Sequence, residues 1–145
     1  EIFLEKSIQI RKLFIDEIKR QQDNTLNMAF ILSQDENLIN ALKTKNKSLL
    51  NYDNTLLFLH DNSDYKNLWL QIVDKDGRSF YRSWKNMSGD DLSNVRTDLD
   101  ELIKNPKPTT NISSGLFDLT LKAINPIYDL NGEFLGFVEF ISKFN

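Results

Sequence analysis

Two four-residue phrases, Asp74-Lys75-Asp76-Gly77 and Asp129-Leu130-Asn131-Gly132, constrain the fold of this chain more than any other feature. Each lies between apolar, strand-like runs. Their Asp-Gly and Asn-Gly pairs supply the positive backbone φ that a tight hairpin turn needs. The first joins Leu68–Asp74 to Arg78–Trp84, and the second joins Leu119–Tyr128 to Phe134–Ile141. Two hairpins so far apart in sequence predict one antiparallel sheet, with the segment between them folded over a face. A long helix ahead of both makes the molecule a curved sheet hung on a rod, an architecture that suits sensing better than catalysis.

The 145 residues fit one domain, and two Trp and ten Phe supply a core that needs no disulfide staples at this length. A net charge of −3, with bases and acids interleaved, does not suggest a nucleic-acid partner. The absence of cysteine excludes thiol nucleophiles and cysteine–zinc sites. His60 is the single histidine and reads as a solvated residue at a helix end. The chain opens on helix without a Met, so it is expected to be an excised piece of a longer protein. No apolar run approaches the roughly 18 residues of a membrane span, and no signal peptide is visible. Membrane anchors are expected only in flanking segments.

Residues from Glu1 to about Ser33 read as one helix without Gly or Pro. Leu4, Ile8, Ile15 and Ile18 form one apolar strip, and Phe3, Ile10 and Phe14 a second beside it. The two strips form either one broad core-facing surface or one face for the sheet and one for a partner helix. Ser33 or Asp35 can cap a short helix over Glu36–Thr44. Ser48 to about His60 reads as a further helix packed on the sheet. Leu68–Asp74 reads as a central strand. In the next strand Phe80, Arg82 and Trp84 share a face opposite Tyr81. Asp90, Asp91 or Ser93 can cap a helix over Leu92–Asn105, ended by Pro106 and Pro108. Strands follow over Thr109–Ser114, Leu116–Tyr128 and Phe134–Ile141, with Pro126 at an edge or bulge.

Three front helices, two strands, a helix and three strands is the order of a PAS-like α+β fold. The stretches Tyr81-Arg82-Ser83-Trp84, Gly89-Asp90-Asp91-Leu92, Arg96, Lys122 to Gly132 and Leu135-Gly136-Phe137-Val138-Glu139 resemble extracytoplasmic Cache sensor domains. The resemblance covers about 68–141. It is nearest to the group with a long first helix found in sensor kinases, diguanylate cyclases and chemoreceptors. It implies a single Cache module: a helical part over 1–62, then a five-stranded antiparallel sheet with its connecting helix over 66–142. It further implies a periplasmic location, transmembrane flanks and ligand sensing without catalysis. The Tyr-Arg-x-Trp order departs from the amino-acid-binding Cache pattern, so an amino-acid ligand is not supported.

Arg82 between Phe80 and Trp84 is the leading candidate ligand contact. A buried guanidinium needs an anionic partner. That partner is either a ligand carboxylate, bound bidentately, or an internal acid such as Glu139. Arg96 either reaches over a ligand or pairs with Asp90 or Asp100. Lys122 is a pocket cation or an exposed strand lysine. Tyr81 and Trp84 serve as pocket walls or core, and Asp90 as a helix cap or part of a lid. Asp98, Asp100 and Glu101 read as a solvated helix face. The twelfth position from Asp74 is Lys85, which excludes an EF-hand calcium loop. No nucleophile elbow, phosphate loop or metal spacing is present, so neither enzyme activity nor a cofactor is expected. The expected function is capture of a small molecule, an organic anion, between the sheet and the connecting helix. Two copies would pair through the first helix. The alternative is a ligand-free dimerisation and spacer module of the same receptor class.

Overall fold

The computed structural model describes residues 1–116 and 118–144. Four helices, α1 (Ile2–Ser33), α2 (Glu36–Thr44), α3 (Asp53–Asn62) and α4 (Thr97–Lys104), accompany five strands: β1 (Leu68–Asp74), β2 (Ser79–Arg82), β3 (Thr109–Ser114), β4 (Leu119–Tyr128) and β5 (Phe134–Phe144). The strands form one antiparallel sheet in the order β2-β1-β5-β4-β3. β5, the second strand of the second hairpin, pairs with β1 of the first and takes the middle position, while β1 is interior as expected, with β2 and β5 on its two sides. Both Gly turns are present, with φ of 81° at Gly77 and at Gly132. Pro126 lies past the end of β3, where β4 has a neighbour on one side only, which fits the expected edge position.

α1 meets the sheet through its second half. Gln21, Thr25, Ala29 and Ser33, four residues apart, are buried against β4 and β5. Small and polar side chains bring the helix close and bond specifically: Thr25 Oγ1 to the Tyr65 hydroxyl at 2.8 Å, and Asn125 Nδ2 donating to Ser33 Oγ at 3.0 Å. Neither apolar strip of the first half covers the sheet; Leu4, Ile8, Phe14 and Ile15 all stay exposed. Asp35 caps α2, accepting the Asn37 N–H at 3.2 Å. α3 starts only at Asp53, where the Asn51 side chain accepts the backbone N–H at 3.0 Å, and it buries none of its residues fully. The packing expected of that helix falls instead to Leu50 and Tyr52 in the approach to it.

Among the described residues the sheet carries two apolar cores. On the α1–α2 face, Leu70, Ile72, Ile127, Val138 and Phe140 pack with Ala29, Leu38 and Leu42. On the opposite face, Val73, Ile124 and Phe137 pack under Leu92, Leu99 and Leu102. Each such buried Leu, Ile or Phe contributes about 1.5–3 kcal/mol. The second core packs α4 onto the middle of the sheet, and the open space left between helix and sheet lies at the β3 edge. α4 is also shorter than Leu92–Asn105. The Asp91 carboxylate accepts the Ser93 N–H at 2.9 Å and hydroxyl at 2.6 Å, holding a turn that delays the helix to Thr97. Gly136 carries φ of 150°, and a Cβ there would lie 2.1 Å from the Val73 carbonyl oxygen; this glycine permits the close β1–β5 approach. No helix among the described residues is long and apolar enough to cross a membrane.

Candidate functional site

A β-bulge in the β1–β2 pairing decides which side chains face the α4 side of the sheet. Gln71 pairs with Arg82 and Ile72 with Tyr81, but Val73 pairs with Ser79. The extra residue sends Phe80 to the α1–α2 core together with Tyr81. The predicted Phe80–Arg82–Trp84 face is therefore broken. Tyr81 turns to the α1–α2 face, where its ring meets Tyr52 edge-on at 5.5 Å and its hydroxyl accepts the Tyr52 N–H at 3.3 Å, and it still borders, with Arg82 and Trp84, an open hollow of about 450 Å³ beside Asn51 and Asp53.

Gln71 stands opposite Arg82 on one side and Glu139 on the other. Strand alternation aims all three to the α4 side. They anchor a continuous polar chain across the sheet. Arg82 Nε donates to Gln71 Oε1 at 3.0 Å, and Ser79 Oγ donates to the same oxygen at 2.9 Å. Gln71 Nε2 donates to Glu139 Oε1 at 3.0 Å. Glu139 then accepts both terminal nitrogens of Arg96, at 2.8 and 2.6 Å. Arg82 does not pair with Glu139. Its two terminal nitrogens clasp Asp90 at 2.6 and 2.8 Å, and one also donates to the Met87 carbonyl at 3.2 Å. Arg96 also donates to Asp98 at 2.9 Å.

Burial is graded along this chain. The Glu139 side chain is 0% exposed and that of Arg82 7%, whereas Asp90 and Asp98 at the ends are 43% and 42% exposed. Burial by itself would lower the Arg96 pKa, but the Glu139 and Asp98 carboxylates reverse that and raise it. The Arg82 clasp holds the Asp90 carboxyl down to about 2. Burial raises Asp98, yet its bonds to Arg96, with help from the Lys122 charge, leave it below the usual carboxylate range.

Four predicted residues, Arg82, Arg96, Asp90 and Glu139, thus come together in one network. Trp84 adjoins it, with the Arg82 guanidinium carbon 5.9 Å from its ring centre. Lys122 lies opposite Ile141 on the same face. Asp90 caps no helix; it clasps Arg82. Gln71 and Asp98 were missed. Gln71 was masked by a near-continuous apolar run, and Asp98 by an apparently solvated helix face. Beyond the reach of α4, an open hollow of about 370 Å³ is lined by Trp69, Trp84, Ile141 and Lys143. A second, of about 400 Å³, opens between α4 and β3 beside Asp98, Glu101, Lys107 and Asn111. Among the described residues no group of three or more His or carboxylate side chains could hold a metal. The chemistry available is ion pairing and bidentate carboxylate recognition.

The dCache_3 family model, described as a double sensory domain of two-component sensor kinase, matches residues 5–145. The sensor domain of Escherichia coli DcuS superposes with a TM-score of 0.59 at 17% identity, over 83% of this chain and 86% of that one. A domain assigned to the sensory box/GGDEF family from Vibrio parahaemolyticus superposes with a TM-score of 0.61 at 14% identity, over 96% of this chain and 59% of that one. At these identities the likeness is one of fold. No curated protein matches the sequence.

Proposed function

Because the chain belongs to the dCache_3 family of sensory domains of two-component sensor kinases, we propose that it is the extracytoplasmic ligand-sensing module of a membrane-anchored bacterial receptor, taking a small organic anion on the α4 side of its sheet. Residues 1–145 act as one module, with no catalytic role of their own. Kinase, cyclase or chemoreceptor output belongs to other parts of such a receptor.

The observation that carries this reading is the Arg82–Asp90 clasp. A guanidinium held against the sheet meets a carboxylate that is exposed at the rim and belongs to the connecting segment. A ligand carboxylate offers the same bidentate geometry and can take the place of Asp90. The segment around Asp90 then loses its side-chain clasp on β2 and is held there by backbone bonds, Ser79 N–H to the Asp90 carbonyl at 3.0 Å and Gly89 N–H to the Ser79 carbonyl at 2.7 Å, so it loosens without detaching. Since Arg96 ends the same segment and grips Glu139 of β5, the change reaches the last strand and, through it, α1. A ligand that prefers the loosened arrangement tenfold biases it by about 1.4 kcal/mol. Two copies pairing along the exposed apolar residues of the first half of α1 would carry the shift onward.

The ligand-free spacer keeps one observation in its favour. Arg82 and Arg96 are both already neutralised by acids of the chain. Thermal unfolding across a panel of mono-, di- and tricarboxylates separates the two readings. Sensing predicts a concentration-dependent rise in Tm with one class of acid, absent in Arg82→Ala. No rise with any acid would leave the spacer reading.

A further inference from the structure

We infer that the hollow of Trp69, Trp84, Ile141 and Lys143 receives the body of the ligand, and that this ligand is an aromatic monocarboxylate; the inference rests on the organic-anion reading above. Trp69 and Ile141 are register partners on β1 and β5 and form the floor. Lys143, two residues further along β5, returns to the same face, and its Nζ lies 5.8 Å from the Trp69 ring centre. On the other side the Arg82 guanidinium lies 5.9 Å from the ring centre of Trp84. Two indoles thus bound one apolar hollow, and each carries a cation.

This pattern selects among ligand chemistries. A quaternary ammonium or other cation would seek the indole faces, but Arg82 and Lys143 already occupy positions over them and repel it. A compact di- or tricarboxylate needs cations on several sides and a polar floor, whereas this floor is Trp69 and Ile141. A flat ring carrying one carboxylate fits both halves of the site. Its ring packs on indole in an offset or edge-on geometry, and its carboxylate meets both cations, taking the Arg82 guanidinium once Asp90 has yielded and a further bond from Lys143. Lys143 is 3.7 Å from Asp118; an ammonium has three donors and can hold that acid and a ligand oxygen together.

Trp69 and Trp84 are the only two tryptophans of the chain, so intrinsic fluorescence reports on this hollow alone. The test titrates the whole chain with phenylacetate, cyclohexylacetate, succinate and choline, reading tryptophan emission and Tm. The expected result is saturable quenching with a rise in Tm for phenylacetate. Binding of the other three should be at least about tenfold weaker, and Lys143→Gln should lower phenylacetate affinity by about tenfold. Preferential binding of succinate would overturn the aromatic class and leave the organic-anion reading standing. Equal affinity for cyclohexylacetate would remove the stacking requirement, and tighter binding of choline would invert the charge assignment. Unchanged affinity in Lys143→Gln would displace the ligand from this hollow. Should a broad acid panel bind nowhere, the organic-anion reading fails together with the inference.

Discussion

Glu139 has no contact with water, and its carboxylate accepts two guanidinium bonds from Arg96 and an amide bond from Gln71. Removing one member of such a buried pair strands the other, at a cost of about 3–5 kcal/mol. Glu139→Gln is therefore expected to lower the unfolding free energy by about 3 kcal/mol, softened by the Asp98 contact that Arg96 retains. Replacing both partners, as in Arg96→Met with Glu139→Leu, should restore part of that loss. Urea unfolding of the two variants checks this; a Glu139→Gln variant as stable as the wild type would show that the pair is not a structural clasp. The inward setting of Glu139 was legible from Phe137 and Ile141 on its own face. Its partner was not. The choice between Arg82 and Arg96 depends on a bulge that no residue in β1 or β2 announces, and on an extended backbone at Arg96.

The segment between β2 and α4 behaves as a strap with two side-chain clasps, Asp90 on Arg82 and Arg96 on Glu139, added to backbone bonds that tie Gly89 and Asp90 to Ser79 and Leu92 to Gly77. The first fastening titrates. The Asp90 carboxyl is held down to about 2 by Arg82, so the folded state binds this proton less readily than the unfolded chain. Its contribution is complete above the ordinary carboxylate range near pH 4 and is lost as the pH falls through about 2. Asp98 is shifted the same way. Asp90→Asn should therefore flatten the fall of Tm across that acid window while changing little in its shape at neutral pH. A wild-type profile in Asp90→Asn would mean that the clasp does not form in solution. The Gly-Asp-Asp phrase marked this strap in the sequence, but as a helix cap. Asp91 spends its oxygens on a turn through Ser93, and Asp90 spends its own on Arg82, so neither reaches a helix N-terminus. The hollow was hidden for a related reason. Trp69 sat inside a run that read wholly as core, and Lys143 lay beyond the expected end of the last strand at Ile141.

At the scale of the molecule, α1 divides into a half that holds the sheet and a half that holds nothing. Ile8 and Ile15 are 58% and 57% exposed, alongside Phe3, Ile10 and Phe14. Apolar periodicity identified this helix but could not say which surface covers it, since a core face and an intermolecular face share one pattern. The residues that do meet the sheet, Thr25, Ala29 and Ser33, are too small and polar to stand out in such a pattern. Pairing of two first helices predicts a concentration-dependent dimer in sedimentation experiments that Ile8→Glu with Ile15→Glu reduces to monomer. An unaltered dimer in that variant would place the interface elsewhere.

The sensory role turns on an incoming carboxylate taking Arg82 from Asp90, and the Arg82 side chain itself can be watched. With nitrogen-labelled arginine, the Arg82 Nε–H resonance, assigned by its loss in Arg82→Lys, should shift progressively as the ligand is added. The Arg96 resonance, locked to buried Glu139, should shift far less. A ligand that saturates the protein while the Arg82 resonance stays fixed would contradict the exchange of partners on which signalling is here made to depend.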